Sequence, residues 1–236
     1  MSIKIAVVSG GSKGIGKAIV MSFIKNGFDV ITCSRSDQDL TSLNYEVLSK
    51  DYSGSLYTFK ADLSKKEEAE NFIQFISLKT QNVDVLVNNA GVFLPGEISS
   101  DEEGNLEFMM NTNLYSAYYL TRGVVKGMKL SKSGDIFNIC SIASKNAYPN
   151  GGSYSVSKFA LYGMSQSLRE ELKSFGIRVT SVLPGATYTA SWDGKDLPED
   201  RFIKPKDVAD AIWSAYSLSR NSVIEDLTIR PQLGDI

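Results

Sequence analysis

The 236-residue sequence has no histidine, only two cysteines, a net charge of just −2 and no long apolar run. Each absence removes a class of function. Without histidine, the usual carrier of protons near neutral pH is missing, and that work falls to tyrosine, lysine or a carboxylate. Cys33 and Cys140 lie in separate apolar stretches without metal-ligand spacing. They read as reduced core thiols of a cytoplasmic protein, and no metal site is expected. With no basic excess to hold a phosphate backbone, nucleic-acid binding is disfavoured as the main role. The apolar run at residues 3–8 reaches glycines too soon for a membrane span or a secretory leader.

What is present is an ordinary globular balance, 42% hydrophobic and 22% charged. Apolar runs predict strands over 3–8, 29–34, 55–60, 83–87, 135–140, 177–183 and 222–229. Between them lie helical patterns. The first carries Ile15, Ala18, Ile19 and Phe23 on one face, and a polar helix runs to about residue 50. A charged one over 64–78 has Ala69, Phe72, Ile73 and Ile76. Helices over 106–130 and 207–218 follow the same rule, and residues 152–175 carry a stripe of Val156, Ala160, Met164, Leu168 and Leu172. Strands without polar alternation, separated by helices, imply an α/β, Rossmann-like doubly wound fold. The expectation is one domain over 1–236, with a seven-stranded, mainly parallel sheet and helices on both faces. The one irregular stretch, about 186–205, contains Gly194, Pro198 and Pro205. It follows a strand's carboxyl end and suits a mobile substrate lid.

Two patterns carry chemistry. The first strand runs into Ser9-Gly10-Gly11-Ser12-Lys13-Gly14-Ile15-Gly16. Glycines there permit a tight turn and let backbone N–H groups approach a pyrophosphate at a helix N-terminus. The second is Tyr154-Ser155-Val156-Ser157-Lys158. In a helix, four residues advance about 400° and 6 Å, so phenol and ammonium share a face. A cation beside a phenol favours the phenolate and lowers its pKa. Alone, such a pair is more often two surface neighbours than a proton donor and its tuner.

Further motifs bring the resemblance into view. Asn88-Asn89-Ala90-Gly91 follows the fourth strand, and Asn113 lies in Asn111-Thr112-Asn113-Leu114. Ser141 ends the fifth strand, thirteen positions before Tyr154, and Pro184-Gly185 follows the sixth, with Thr187 and Thr189 beyond. Over essentially its whole length the chain resembles the short-chain dehydrogenase/reductase family, departing at Ser9, where the family usually has threonine. The resemblance implies roles. Tyr154 protonates a carbonyl oxygen, or deprotonates an alcohol in reverse, and Lys158 lowers its pKa and holds the nicotinamide ribose. Ser141 holds the substrate oxygen, and Asn113 keeps a water-linked proton path to Lys158. Gly10, Ser12, Lys13, Gly14, Ile15, Gly16, Asn88, Ala90, Gly91, Pro184, Gly185, Thr187 and Thr189 are expected around the cofactor, with Asp62 and Leu63 at the adenine.

Charge argues for which cofactor. NAD sites of such folds place an acid after the second strand, whereas this chain reads Cys33-Ser34-Arg35-Ser36. Arg35 and Lys13 suit a ribose 2′-phosphate, so NADP(H) is expected. The C-terminal region, from Tyr188-Thr189-Ala190-Ser191-Trp192 to Asp235-Ile236, is similar to that of bacterial sepiapterin reductases. On that likeness Trp192, with Tyr148 nearby, forms an aromatic wall for a pterin; the alternative is a hydrophobic latch for any substrate. A 3-oxoacyl-carrier-protein reductase, a broad carbonyl reductase and a silent NADP(H) sensor or scaffold are the competing readings. The expected partner is a small carbonyl or alcohol. The resemblance adds a homodimer or homotetramer, through the helices around Asn113 and Tyr154 and the last strand.

Overall fold

The computed structural model describes residues 3–189 and 197–234. The apolar runs become β1 (Ile5–Ser9), β2 (Asp29–Ser34), β3 (Leu56–Lys60), β4 (Val85–Asn88), β5 (Gly134–Ile139), β6 (Ile177–Pro184) and β7 (Asp226–Ile229). They join in one sheet of order β3-β2-β1-β4-β5-β6-β7. Every pairing between these strands is parallel. Strand order reverses between β1 and β4, which opens a crevice at their carboxyl ends.

Helices α1 (Gly14–Lys25), α2 (Asp37–Leu48) and α7 (Pro205–Tyr216) cover one face. The other is covered by α3 (Lys66–Lys79), α5 (Ser116–Ser131) and α6 (Gly152–Leu172). Period-two alternation assigns the strand residues: Ala6 and Val8 pack toward α1 and α7, and Val7 toward α3 and α5. Phe23 of α1 and Phe72 of α3 are fully buried in the two layers. Each contributes roughly 1.5–3 kcal/mol by leaving water.

Two helices differ from their sequence patterns. The helix expected over 106–130 is α4 (Asn105–Met110) joined to α5 through a π-helical turn at Asn111–Tyr115. The apolar stripe of α6 is buried only toward its end: Val156 is 42% exposed and Leu172 fully buried, while Ser157, Lys158, Leu161 and Ser165 are buried between them. Small hydroxyl side chains let α6 lie close to the sheet and exchange hydrogen bonds with it, as Ser165 does with Asn138 of β5 at 2.6 Å.

At the amino end of the sheet, Asp135 of β5 and Arg178 of β6 are register partners. The Asp135 carboxylate accepts from Arg178 Nε and from an Arg220 guanidinium nitrogen, each at 2.6 Å. Arg178 also donates to the carbonyls of Tyr216 and Leu218, at and just beyond the end of α7. A cation placed there satisfies carbonyls the helix leaves open.

Candidate active site

At the opposite end of the sheet the strand ends line a cleft of about 1270 Å³. Its floor follows from the glycine turn. Gly10 has φ +67°, a conformation side chains resist, and a Cβ on Gly16 would stand 2.2 Å from the Gly10 carbonyl oxygen. The Ser9 hydroxyl accepts from the N–H groups of Asn89 and Ala90, both at 2.9 Å. Asn89 Nδ2 donates to the Ser9 and Gly10 carbonyls at 2.9 and 3.0 Å. The β1 turn and the β4 loop are thereby stitched together, and the departure from threonine to Ser9 keeps the hydroxyl that does it. The resulting shelf, bare of side chains at the start of α1, fits a pyrophosphate.

Ser12, Lys13, Gly14, Ile15, Arg35, Asp62, Leu63, Ala90, Gly91, Pro184, Gly185, Thr187 and Thr189 line the same cleft with Gly10 and Gly16. Beside the end of β2, the Ser12 hydroxyl donates to Ser34 Oγ at 2.7 Å. Arg35 is exposed and makes no ion pair among the described residues, whereas Lys13 Nζ lies 3.0 Å from an Asp39 carboxylate oxygen. Asp62 Oδ1 accepts from the Ser64 N–H and hydroxyl, which fixes the turn that presents Leu63. Thr187 donates to the Gly185 carbonyl at 3.0 Å, and Thr189 packs over Gly14.

Asn88 is a correction. It does not line the cleft; it is 3% exposed and donates to Thr121 Oγ1 at 3.0 Å and Asn138 Oδ1 at 2.8 Å. The reason is strand parity: Leu86 faces α5, so Asn88, two residues on, does too. Asn89 turns to the cleft instead.

The catalytic candidates converge where β5 ends against α6. Ser141, Tyr154 and Lys158 line the cleft together. Ser141 caps the short helical turn Ile142–Ser144, its hydroxyl accepting from the Ala143 N–H at 3.1 Å. The Ser141 hydroxyl also hydrogen-bonds the Tyr154 phenol and favours its ionised form, but burial outweighs it and holds the phenol above its usual pKa. Lys158 Nζ donates to the Ile139 carbonyl at 2.8 Å and lies 5.8 Å from the centre of the Tyr154 ring. Burial lowers its pKa to about 8. The expected lowering of the Tyr154 pKa by Lys158 is therefore not what this arrangement gives. Both groups are desolvated, and desolvation disfavours the charge of each.

Asn113 is fully buried and lies behind the cleft wall. The π-helical turn brings it against the β4 loop: its Oδ1 accepts from the Val92 N–H at 2.7 Å, and its Nδ2 donates to the Val92 carbonyl at 3.0 Å and Ser157 Oγ at 2.9 Å. Asn113 thus clamps that loop to α6, three residues past Tyr154. Such π turns recur at functional sites. A Cβ on Gly91 would meet both Asn113 Oδ1 at 3.3 Å and Lys158 Nζ at 3.4 Å, so only glycine passes between them without displacement.

Several cleft residues carry no motif in the sequence. Phe93 meets Tyr154 edge-on with centroids 4.9 Å apart. Lys145 is held by Asp226 at 2.6 Å, and Asp226 also accepts from the Tyr162 hydroxyl at 2.7 Å. Tyr148 is 41% exposed and lines the cleft mouth. Trp192 and the middle of the expected lid lie outside the described residues. The lid's flanks are joined, with the Tyr188 N–H donating to the Ile203 carbonyl and the Ile203 N–H to the Ala186 carbonyl, both at 2.9 Å. Among the described residues no cluster of acidic or cysteine side chains is placed to hold a metal, and no helix is long and apolar enough to cross a membrane.

Comparison with known proteins agrees with this geometry. The short chain dehydrogenase family model matches residues 4–199. A sepiapterin reductase of Chlorobaculum tepidum is 33% identical over 242 residues, covering 98% of each chain. A metagenomic short-chain oxidoreductase solved with NADP superposes with a TM-score of 0.84 at 30% identity, covering 97% of each chain. An alcohol dehydrogenase from the archaeon Thermococcus sibiricus, solved with 5-hydroxy-NADP, gives a TM-score of 0.89 at 25% identity, covering 98% of this chain and 97% of its own. With its parallel sheet, glycine-floored crevice and Ser141–Tyr154–Lys158 wall, the chain belongs to the short chain dehydrogenase family of oxidoreductases.

Proposed function

We propose that this protein is an NADP(H)-dependent oxidoreductase that interconverts a carbonyl and an alcohol, with Tyr154 as the proton donor. The observation that carries the reading is the convergence of the Tyr154 phenol, the Ser141 hydroxyl and the buried Lys158 ammonium on one wall of the glycine-floored cleft. The shelf from Gly10 to Gly16 would hold the pyrophosphate, and Arg35 with Lys13 the 2′-phosphate. No acid stands directly after β2 to bind a free ribose 2′-hydroxyl. The NADP-bound relatives support the same choice. When bound, the cofactor supplies or accepts the hydride.

In reduction, the Ser141 hydroxyl orients the carbonyl oxygen, and Tyr154 gives it a proton. A phenol held protonated by burial is in the right state to donate. Lys158 then stabilises the phenolate left behind, using N–H donors that its bond to the Ile139 carbonyl does not occupy. Re-protonation of Tyr154 needs a path to solvent, and the path expected past Asn113 is kept in this reading. Among carbonyl substrates, a pterin bearing a 1,2-dicarbonyl side chain is supported by the C. tepidum relative. Exposed apolar side chains on α5 and α6, such as Tyr118 and Phe159, support self-association through those helices.

The test is oxidation of NADPH and NADH with sepiapterin, diacetyl, an acetoacetyl thioester and an aromatic ketone, by the natural chain and by Tyr154→Phe. The expected result is NADPH oxidation with sepiapterin preferred, reduced roughly 10²–10⁴-fold in Tyr154→Phe. Flat activity across the panel would assign a broad carbonyl reductase instead. Full turnover by Tyr154→Phe would overturn the mechanism.

A further inference from the structure

At the adenosine end of the cleft, cations and carboxylates are already matched. Asp39 lies in the first turn of α2, its N–H donating to the capping Ser36 hydroxyl at 3.2 Å. Its carboxylate holds Lys13 Nζ at 3.0 Å, and Asp39, Lys13 and Arg35 all line the cleft. One residue into the same helix, Asp37 holds Lys60 at 2.9 Å. Arg35 is the cation there without such a carboxylate among the described residues. A helix start attracts anions, and here Asp39 already occupies that position.

We infer that Asp39 tunes cofactor selectivity by competing with the ribose 2′-phosphate for Lys13. The inference rests on reading Lys13 and Arg35 as the ligands of that phosphate. A dianionic group arriving beside Arg35 draws on Lys13 only by taking it from Asp39 or sharing it. The Asp39 charge also repels that group. Both effects weaken NADP(H) binding, and neither touches NAD(H), which carries no 2′-phosphate. The Lys13 ammonium keeps the Asp39 carboxyl below its usual pKa, so the competition persists throughout the neutral range. Asp39 therefore moves the two affinities closer together, in the direction opposite to Arg35.

Calorimetric dissociation constants for NADP⁺ and NAD⁺ test this at one fixed low ionic strength. The variants are Asp39→Asn, Lys13→Ala, Arg35→Ala and the Lys13→Ala/Asp39→Asn double. Asp39→Asn should tighten NADP⁺ roughly two- to fivefold, the range of an exposed ion pair, and leave NAD⁺ unchanged. The double variant should gain less over Lys13→Ala than Asp39→Asn gains over the natural chain, because only the direct repulsion is left to remove. Asp39→Ser, which keeps a polar side chain at the helix start, serves as a second variant and should show the same gain. Unchanged or weaker NADP⁺ binding in both Asp39 variants overturns the inference, provided Lys13→Ala and Arg35→Ala still weaken NADP⁺. A full gain in the double variant also overturns it, since Asp39 would not be acting through Lys13. If Lys13→Ala and Arg35→Ala leave NADP⁺ binding intact, the reading of the phosphate site is what fails.

Discussion

Asp135 and Lys158 are both charged and 3% and 4% exposed; Asp135 sits at the start of β5, and Lys158 reaches the last residue of that strand from α6. Asp135 is met by two guanidinium groups, and those in turn satisfy carbonyls at the end of α7 and the β5 and β6 entries. Lys158 has the Ile139 carbonyl at the other end of the strand, with no carboxylate in ion-pair reach among the described residues. The difference is what each end does. Matched charge at the amino end fastens α7 and the loop after it to the sheet. Unmatched charge at the carboxyl end is a cost to the fold, kept where the proposed mechanism develops negative charge during proton transfer. Local electrostatic strain of this kind is what a preorganised site requires.

The largest expected effect lies at the matched end. Asp135→Asn leaves Arg178 buried without its counter-charge and should cost about 3–5 kcal/mol in denaturant unfolding. Turnover of the folded variant, measured well below its melting range, should stay near the natural value. A loss under about 1 kcal/mol would mean the network is not the fastening it looks to be.

At the unmatched end the sharper handle is pH. Lys158 is charged below about 8, and Tyr154 stays protonated through that range. The kcat/KM for carbonyl reduction should therefore be level below about 8 and fall above it, as Lys158 loses its proton. Stability moves the other way. An unfolded lysine titrates near 10.4, so between about 8 and that value the unfolded chain binds the proton that the native chain has released. Lys158 destabilises the fold at lower pH, and that penalty fades as pH rises. A rate that climbs through pH 9 would remove the ammonium from the mechanism.

A smaller effect is expected where α6 begins. Gly151 and Gly152 offer no side-chain cap, and Asp101 in the loop after β4 ties the helix start down instead, accepting from the Ser153 hydroxyl and from Asn105 Nδ2. Asp101→Ala should lower kcat roughly two- to tenfold by loosening the turn that aims Tyr154. Asp101→Asn, which can still accept from Ser153, should recover most of the loss. Equal loss in both variants would assign the effect to charge instead of aim.

How much of this was legible in the sequence depends on the range of the interaction. The strand–helix alternation was, because strands buried on both faces lose polar alternation and helices keep theirs. The last strand is shorter than the apolar run at 222–229: residues 222–225 give backbone carbonyls to Arg178, Thr180 and Arg169 instead of extending β7. Asn88 and Asn89 could have been told apart by counting parity from Leu86. The π-helical turn at Asn111–Tyr115 leaves no pattern, since one added residue in a helix turn resembles ordinary helix. The Lys13–Asp39 and Asp135–Arg220 pairs join distant positions that only the folded sheet brings together. For Tyr154 and Lys158 the shared helix face was readable, but the balance between proximity and burial was not. That balance needs the walls around them.

In the proposed mechanism, Lys158 is kept for chemistry at the expense of stability. Lys158→Met removes the charge and keeps most of the buried chain length, so its thermal unfolding midpoint without cofactor, near neutral pH, is the most direct test. The midpoint should rise, by roughly 2–6 °C, in a variant that no longer reduces carbonyls at a measurable rate. A lower midpoint would contradict the claim, because it would mean that the buried ammonium holds the fold together.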